Sequence, residues 1–205
     1  MKRKIYIFDL DYTIVNCNTF FVYTIFVLKF NYCLLIKKIF FLFIYSILFK
    51  TTKNELYKSI FISLLLKNIK KKDFEKINIS FCNYIVKNKL NNAILTIIKK
   101  QKLKKKFYIA TASPDFYVKL IAKKLNAKNY FATKINLKKK NFGTIIGKNC
   151  FGSQKKIVVF KNIKNLKNYK TYFYTDSLED KPLLEICDNS YVVSNKSIYS
   201  YIKEH

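Results

Sequence analysis

The pattern of hydrophobic and polar positions changes period several times along the chain. Lys4–Phe8 is a short β-branched and aromatic run and predicts a buried strand. From Phe20 to Phe49 nearly every residue is apolar, with charge only at Lys29, Lys37 and Lys38. Residues 52–100 then place apolar side chains at helical spacing between lysine-rich faces, which predicts amphipathic helices. Lys99–Lys106 ("KKQKLKKK") reads as a solvated connector.

Beyond it, strands and helices alternate. Phe107–Ser113 predicts a second strand, and Pro114 opens a helix to about Leu125. Tyr130–Ile135 predicts a third strand, followed by a hairpin with Gly143 and Gly147 as turn signals. Ser153 is expected to cap a helix to about Lys161. Lys170–Ser177 is a fourth strand, Glu179–Cys187 opens a further helix, Ser190–Ser194 is a fifth strand, and a short helix closes the chain. This order predicts an α/β fold: a Rossmann-like parallel sheet with helices on both faces. The helical segment 16–104 interrupts the first crossover and is read as an inserted α-helical cap. The core is then 1–15 and 105–205. No internal repeat is visible.

Composition changes this picture little. The chain has 205 residues, 40 Lys+Arg against 12 Asp+Glu, and a net charge of +28. All but one of the basic residues are lysine, Arg3 being the exception, and Asn, Ile, Phe and Tyr are abundant. That is the signature of AT-rich coding. Readers of nucleic acid favour arginine for bidentate contacts, so no nucleic-acid partner is expected. The charge favours anionic partners, including phosphate esters and acidic lipid surfaces. The five cysteines, Cys17, Cys33, Cys82, Cys150 and Cys187, are scattered and odd in number, as free thiols of a reducing compartment would be. The N-terminal apolar run meets Asp9 too early for a signal peptide. A cytoplasmic location follows, with the inner face of the membrane as a possible place of association.

In such sheets ligands bind beyond the carboxyl ends of the strands. Five of the twelve acidic residues fall at two such ends: Asp9 and Asp11 after the first strand, and Asp176, Glu179 and Asp180 after the fourth. Thr111 and Ser113 end the second strand, and Lys155 starts the helix before the fourth. Clustered carboxylates repel and raise one another's pKa, and a hard cation such as Mg²⁺ relieves that repulsion. A carboxylate beside it can act as a nucleophile of the aspartyl-phosphate type. Each piece alone has a bland reading. A strand-terminal D-x-D is often a turn, "TDSLED" a helix start, and Lys155 a surface lysine.

Together, "DLDYT" (Asp9–Thr13), "TASP" (Thr111–Pro114), "GSQK" (Gly152–Lys155) and "YTDSLEDKPLL" (Tyr174–Leu184) resemble the four ordered motifs of the haloacid dehalogenase-like superfamily. The similarity is to its phosphoserine-phosphatase-like branch. The resemblance implies a phosphatase. Asp9 would attack phosphorus, Asp11 would serve as acid and then base, and Thr111, Ala112 and Lys155 would bind the phosphoryl group. Asp9, Asp11 through its carbonyl, and Asp176 would hold Mg²⁺, with Asp180 in support. Tyr12 stands where the family usually has glycine, and T-D-S where the phosphoserine phosphatases have G-D-G.

Substrate choice falls to the cap. Asn18 occupies the place of the glutamate that grips phosphoserine in those enzymes, and no arginine lies in the cap, which argues against serine phosphate. Ile39–Phe49 would be apolar all round as a helix and about 16 Å long, too short to span a bilayer. It suits a hairpin dipping into an anionic membrane surface through residues 20–49, or else the cap's own core. The phosphatidylglycerophosphatase C type is similar in its apolar cap and its fourth motif. A lipid phosphate is therefore the leading substrate class. A soluble metabolite is the alternative, and an anion- or nucleic-acid-binding protein on an inactive hydrolase fold is the reading from another class.

Overall fold

The computed structural model describes residues 2–30, 55–101, 103, 106–138, 140–194 and 197–203. Ile39–Phe49, and with it most of the 20–49 stretch, lies outside the described residues, as do Cys33 and His205.

Strand β1 (Arg3–Phe8) is central because it is apolar on both faces. Ile5 and Ile7 point to one side of the sheet, Tyr6 and Phe8 to the other, and all four are buried. It pairs in parallel with β2 (Phe107–Pro114) and with β4 (Tyr169–Thr175). Outside these lie β3 (Asn129–Thr133) and β5 (Asn189–Ser194), also parallel, and the order is β3-β2-β1-β4-β5-β6. Rings stack across three strands on one face. Tyr6 and Tyr172 are 4.6 Å apart, Phe8 and Tyr174 4.8 Å, and Tyr174 and Tyr191 4.6 Å.

After β1 the chain makes one wide π-type turn, Leu10–Ile14, and enters the inserted helices α1 (Thr19–Phe30), α2 (Glu55–Leu66), α3 (Lys71–Asn88) and α4 (Asn92–Lys100). Helix α5 (Asp115–Lys124) follows β2. Buried residues of α1 to α5 and of one sheet face form one hydrophobic core, with Tyr23, Phe61, Phe81, Ile94 and Tyr117 joined to Phe8 and Ile109. Helix α6 (Ser153–Asn162) and the short α7 (Lys181–Leu184) cover the other face through Val159, Leu183 and Leu184.

Three local expectations are corrected. The chain closes on an antiparallel strand, β6 (Ser197–Ser200), and not on a helix. Four residues without a cap gain little as a helix, whereas pairing Ile198 with Val193 satisfies the open edge of β5. The cap of α6 is Gly152, at φ 52 and ψ −125, and Ser153 is already inside the helix. A side chain is strained in that backbone region, so glycine holds the cap position. The third strand ends at Thr133, and Ile135 instead forms a single bridge to Ile145 within the predicted hairpin.

Candidate active site

The carboxyl ends of β1, β2 and β4 bring the predicted residues together. Asp9 leaves β1 with its N–H bonded to the Tyr174 carbonyl at 2.8 Å, which fixes it between the two strands. Its Oδ1 accepts from the Leu10 N–H at 2.6 Å and its Oδ2 from Lys155 Nζ at 2.8 Å. Lys155 Nζ also donates to Asp180 Oδ2 at 2.6 Å, and the Thr175 hydroxyl donates to that same oxygen at 2.7 Å. Lys155, Asp9 and Asp180 are all buried. So one lysine, delivered by the first turn of α6, is shared by carboxylates from two strand ends.

The electrostatics follow from that arrangement. Burial pushes the Asp9 carboxyl up; Lys155 opposes this, and the charges of Asp180 and Asp176 add to it. Burial alone would lower Lys155, but the two carboxylates outweigh it and hold the ammonium charged. Asp176, just after β4, is pushed up to about 6, first by burial and then by the charges of Asp11 and Asp180.

Asp11 is placed differently. Its Oδ1 accepts from the Thr19 N–H at 3.0 Å and the Thr19 hydroxyl at 2.6 Å, and its Oδ2 from the Ser113 hydroxyl at 3.0 Å. The carboxyl is thus tied to α1 and β2, and among the described residues it has no hydrogen bond to Asp9, Lys155 or Asp180. Burial raises its pKa, and the Thr19 and Ser113 bonds oppose the rise. Thr111 is buried, and its hydroxyl accepts from the Ser113 N–H at 3.1 Å. The Ala112 carbonyl accepts from the Thr133 hydroxyl at 2.7 Å. Tyr12, in the turn just after Asp11, has φ 50, the conformation that explains why glycine suits this position.

Lys58 was not singled out from the sequence. It is buried, and its Nζ donates to the Ala112 carbonyl at 2.6 Å and to Asn149 Oδ1 at 3.1 Å. Glu55, one turn earlier, accepts from the Asn149 N–H at 2.8 Å. Burial pulls Lys58 down to about 8, with Asp11, Cys150 and Glu55 opposing. A signal existed. Lys58 heads the buried stripe of Phe61, Ile62, Leu65 and Leu66, at spacings of three, four, seven and eight. In a chain so rich in lysine, one more at an apolar position carries little weight. The positioning partners Thr19 and Tyr117, whose hydroxyls are 3.2 Å apart beside Asp11, had no signal of their own.

The donor set suits a hard cation. Among the described residues, Asp180 Oδ1 is buried without a hydrogen-bond partner, and the carboxylates outnumber the one cation paired with them. Among the described residues no three His, Cys, Asp or Glu side chains form a ready-made metal cluster, so backbone, substrate or water oxygens would have to complete the coordination.

Comparison with solved structures gives the same fold. A protein of unknown function from Bordetella pertussis Tohama I is 18% identical, with 93% of this chain and 89% of that chain covered and a TM-score of 0.78. A HAD family hydrolase from Salmonella enterica serovar Typhi is 16% identical, covering 90% of this chain and 60% of its own, at a TM-score of 0.64. A phospho-aspartyl intermediate analogue of phosphoserine phosphatase is 22% identical, with 93% and 86% covered and a TM-score of 0.56. Curated proteins return no match to the sequence. The family match itself spans residues 6–185, from β1 to the end of the fourth motif. The chain belongs to the haloacid dehalogenase-like hydrolases.

Proposed function

We propose that the chain is a Mg²⁺-dependent phosphomonoester hydrolase working through a phosphorylated Asp9. The observation that carries this reading is the buried Asp9–Lys155–Asp180 cluster at the strand ends. An Asp9 oxygen attacks phosphorus as the bond from phosphorus to the ester oxygen breaks. Asp11, whose pKa burial raises, gives its proton to the departing oxygen and then takes one from the water that cleaves the acyl phosphate. Lys155 keeps Asp9 ionised and offsets phosphoryl charge. Thr111 and the backbone at Ala112, at the end of β2, would bind phosphoryl oxygens. Asp9, Asp176 and the Asp11 carbonyl would hold the cation, with Asp180 in support, and the ion would supply positive charge to offset that of the phosphoryl group.

The substrate we favour is a membrane lipid phosphate such as phosphatidylglycerophosphate. The support is the apolar composition of residues 20–49, the net charge of +28 and the exposed Leu56, Tyr57, Ile60 and Leu64 on α2. No described helix is long and apolar enough to cross a membrane. One observation favours a soluble phosphate ester instead: Phe20, Tyr23, Val27 and Leu28, the described start of that stretch, are packed into the core.

Phosphate release with Mg²⁺, wild type beside Asp9→Asn, tests the chemistry. Release from the wild type alone is expected; equal release from both rejects the mechanism. Lipid phosphate in anionic vesicles beside soluble phosphate esters tests the substrate. Preference for the soluble esters, with no vesicle association at low salt, rejects the lipid reading.

A further inference from the structure

Strand β2 leaves its ladder where it reaches the hydrolytic centre. Ala110 pairs with Phe131 and Pro114 with Thr133, so Thr111, Ala112 and Ser113 stand opposite the single Ala132. The Ala112–Ser113 peptide is thereby released from regular pairing, and its polar groups need other partners. The carbonyl accepts from Lys58 Nζ at 2.6 Å, and the N–H donates to the Thr111 hydroxyl oxygen at 3.1 Å.

Lys58 comes from α2, within the inserted helices, and is only 6% exposed. Among the described residues it has no ion pair, and burying an ammonium without a carboxylate partner is costly. Its charge serves two oxygens at once, the Ala112 carbonyl and Asn149 Oδ1. The Thr133 hydroxyl lies 2.7 and 2.6 Å from the same two oxygens, but it has one proton to give. Glu55 gives α2 a second hold by accepting from the Asn149 N–H. An ammonium on a peptide carbonyl makes a charge-assisted bond and polarises that peptide's N–H as a donor. Here that N–H occupies the Thr111 oxygen, while the Thr111 proton goes to no described residue. The bonds therefore run in one direction, from Lys58 through the peptide to a hydroxyl with a proton to donate.

We infer that Lys58 is a positioning residue for the phosphoryl group: from α2 it fixes the Ala112–Ser113 peptide and, through it, the Thr111 hydroxyl. This rests on the phosphate-binding role proposed for Thr111 and extends it to a side chain that need touch no substrate atom.

Equilibrium binding of inorganic phosphate with Mg²⁺, to wild type, Lys58→Met, Thr111→Ala and the double variant, tests this without turnover. Lys58→Met should weaken phosphate about tenfold when Thr111 is present and less than about twofold when it is absent, a coupling of about 1 kcal/mol. A residue that merely supported the fold would cost the same affinity in both backgrounds. Lys58→Gln keeps a donor without the charge and guards against misfolding of Lys58→Met; a loss of at least about threefold, again only with Thr111 present, is expected. Equal losses in the two backgrounds, no loss in either Lys58 variant, or no phosphate binding by the wild type would overturn the inference. The hydrolytic function is tested apart: a wild type that binds phosphate but releases none from p-nitrophenyl phosphate rejects hydrolysis, and the binding cycle still decides the role of Lys58.

Discussion

Asp9 and Asp180 share one buried ammonium, and this makes Lys155 the residue on which the centre's stability turns. Lys155→Met leaves two buried carboxylates facing each other, and a loss of about 3–5 kcal/mol is expected in denaturant titrations at pH 8. The loss should shrink as pH falls, because Asp9, with a raised pKa, takes up a proton more readily folded than unfolded. A loss independent of pH would contradict the shared-charge account. Lys58 gives the opposite slope. Its folded pKa of about 8 lies below its ordinary 10.5, so the unfolded chain binds more protons between these values and stability should rise with pH across that window. The gain is at most about 3 kcal/mol, and Lys58→Met should abolish it; an unchanged slope in the variant rejects the assignment. Tyr12, at φ 50, carries backbone strain of about 1–2 kcal/mol. Tyr12→Gly is expected to leave stability unchanged or raise it by up to about 1 kcal/mol, and Tyr12→Val to lower it; a clear loss in Tyr12→Gly argues against strain at this turn.

Among the elements, the hairpin after β3 is the clip that holds α2 beside the centre. The Ser63 hydroxyl donates to the Phe142 carbonyl at 2.6 Å, and the Ile145 N–H donates to the Ser59 hydroxyl at 3.0 Å. Gly143, at φ 83, lies so close that an added Cβ would sit 2.5 Å from the Ser63 Cα. Gly143→Ala should destabilise the protein by about 1–3 kcal/mol and raise amide exchange in α2 before it does so in β1 or β4. Uniform exchange, or none, would show that the clip is not local. The parallel strands were legible from sequence because burial on both faces writes continuous β-branched and aromatic runs. What sequence could not show was pairing and position. β6 is a strand because β5 had an edge to cover, and Gly152 is the α6 cap because of its backbone angle. Lys58 is buried because Asn149 and the Ala112 carbonyl, remote along the chain, converge on it. The acids at Asp9 and Asp176 stood out against a lysine background; the hydroxyls around Asp11 did not.

At the scale of the molecule, the inserted helices do not have a core of their own among the described residues. Phe61, Phe81 and Ile94 belong to the same buried cluster as Phe8 and Ile109. Heating is therefore expected to give one transition with matching calorimetric and van't Hoff enthalpies, and two separated transitions would contradict the shared core. That continuity also carries α1 and α2 to the hydrolytic centre, where Thr19 meets Asp11 and Lys58 meets Ala112. The proposed function rests on Asp9 becoming covalently phosphorylated. The direct measurement is acid quench during turnover of p-nitrophenyl phosphate with Mg²⁺, followed by peptide mapping. The account predicts phosphate on the peptide carrying Asp9, absent from Asp9→Asn. Turnover with no trapped phosphate, or with phosphate on another residue, would contradict it.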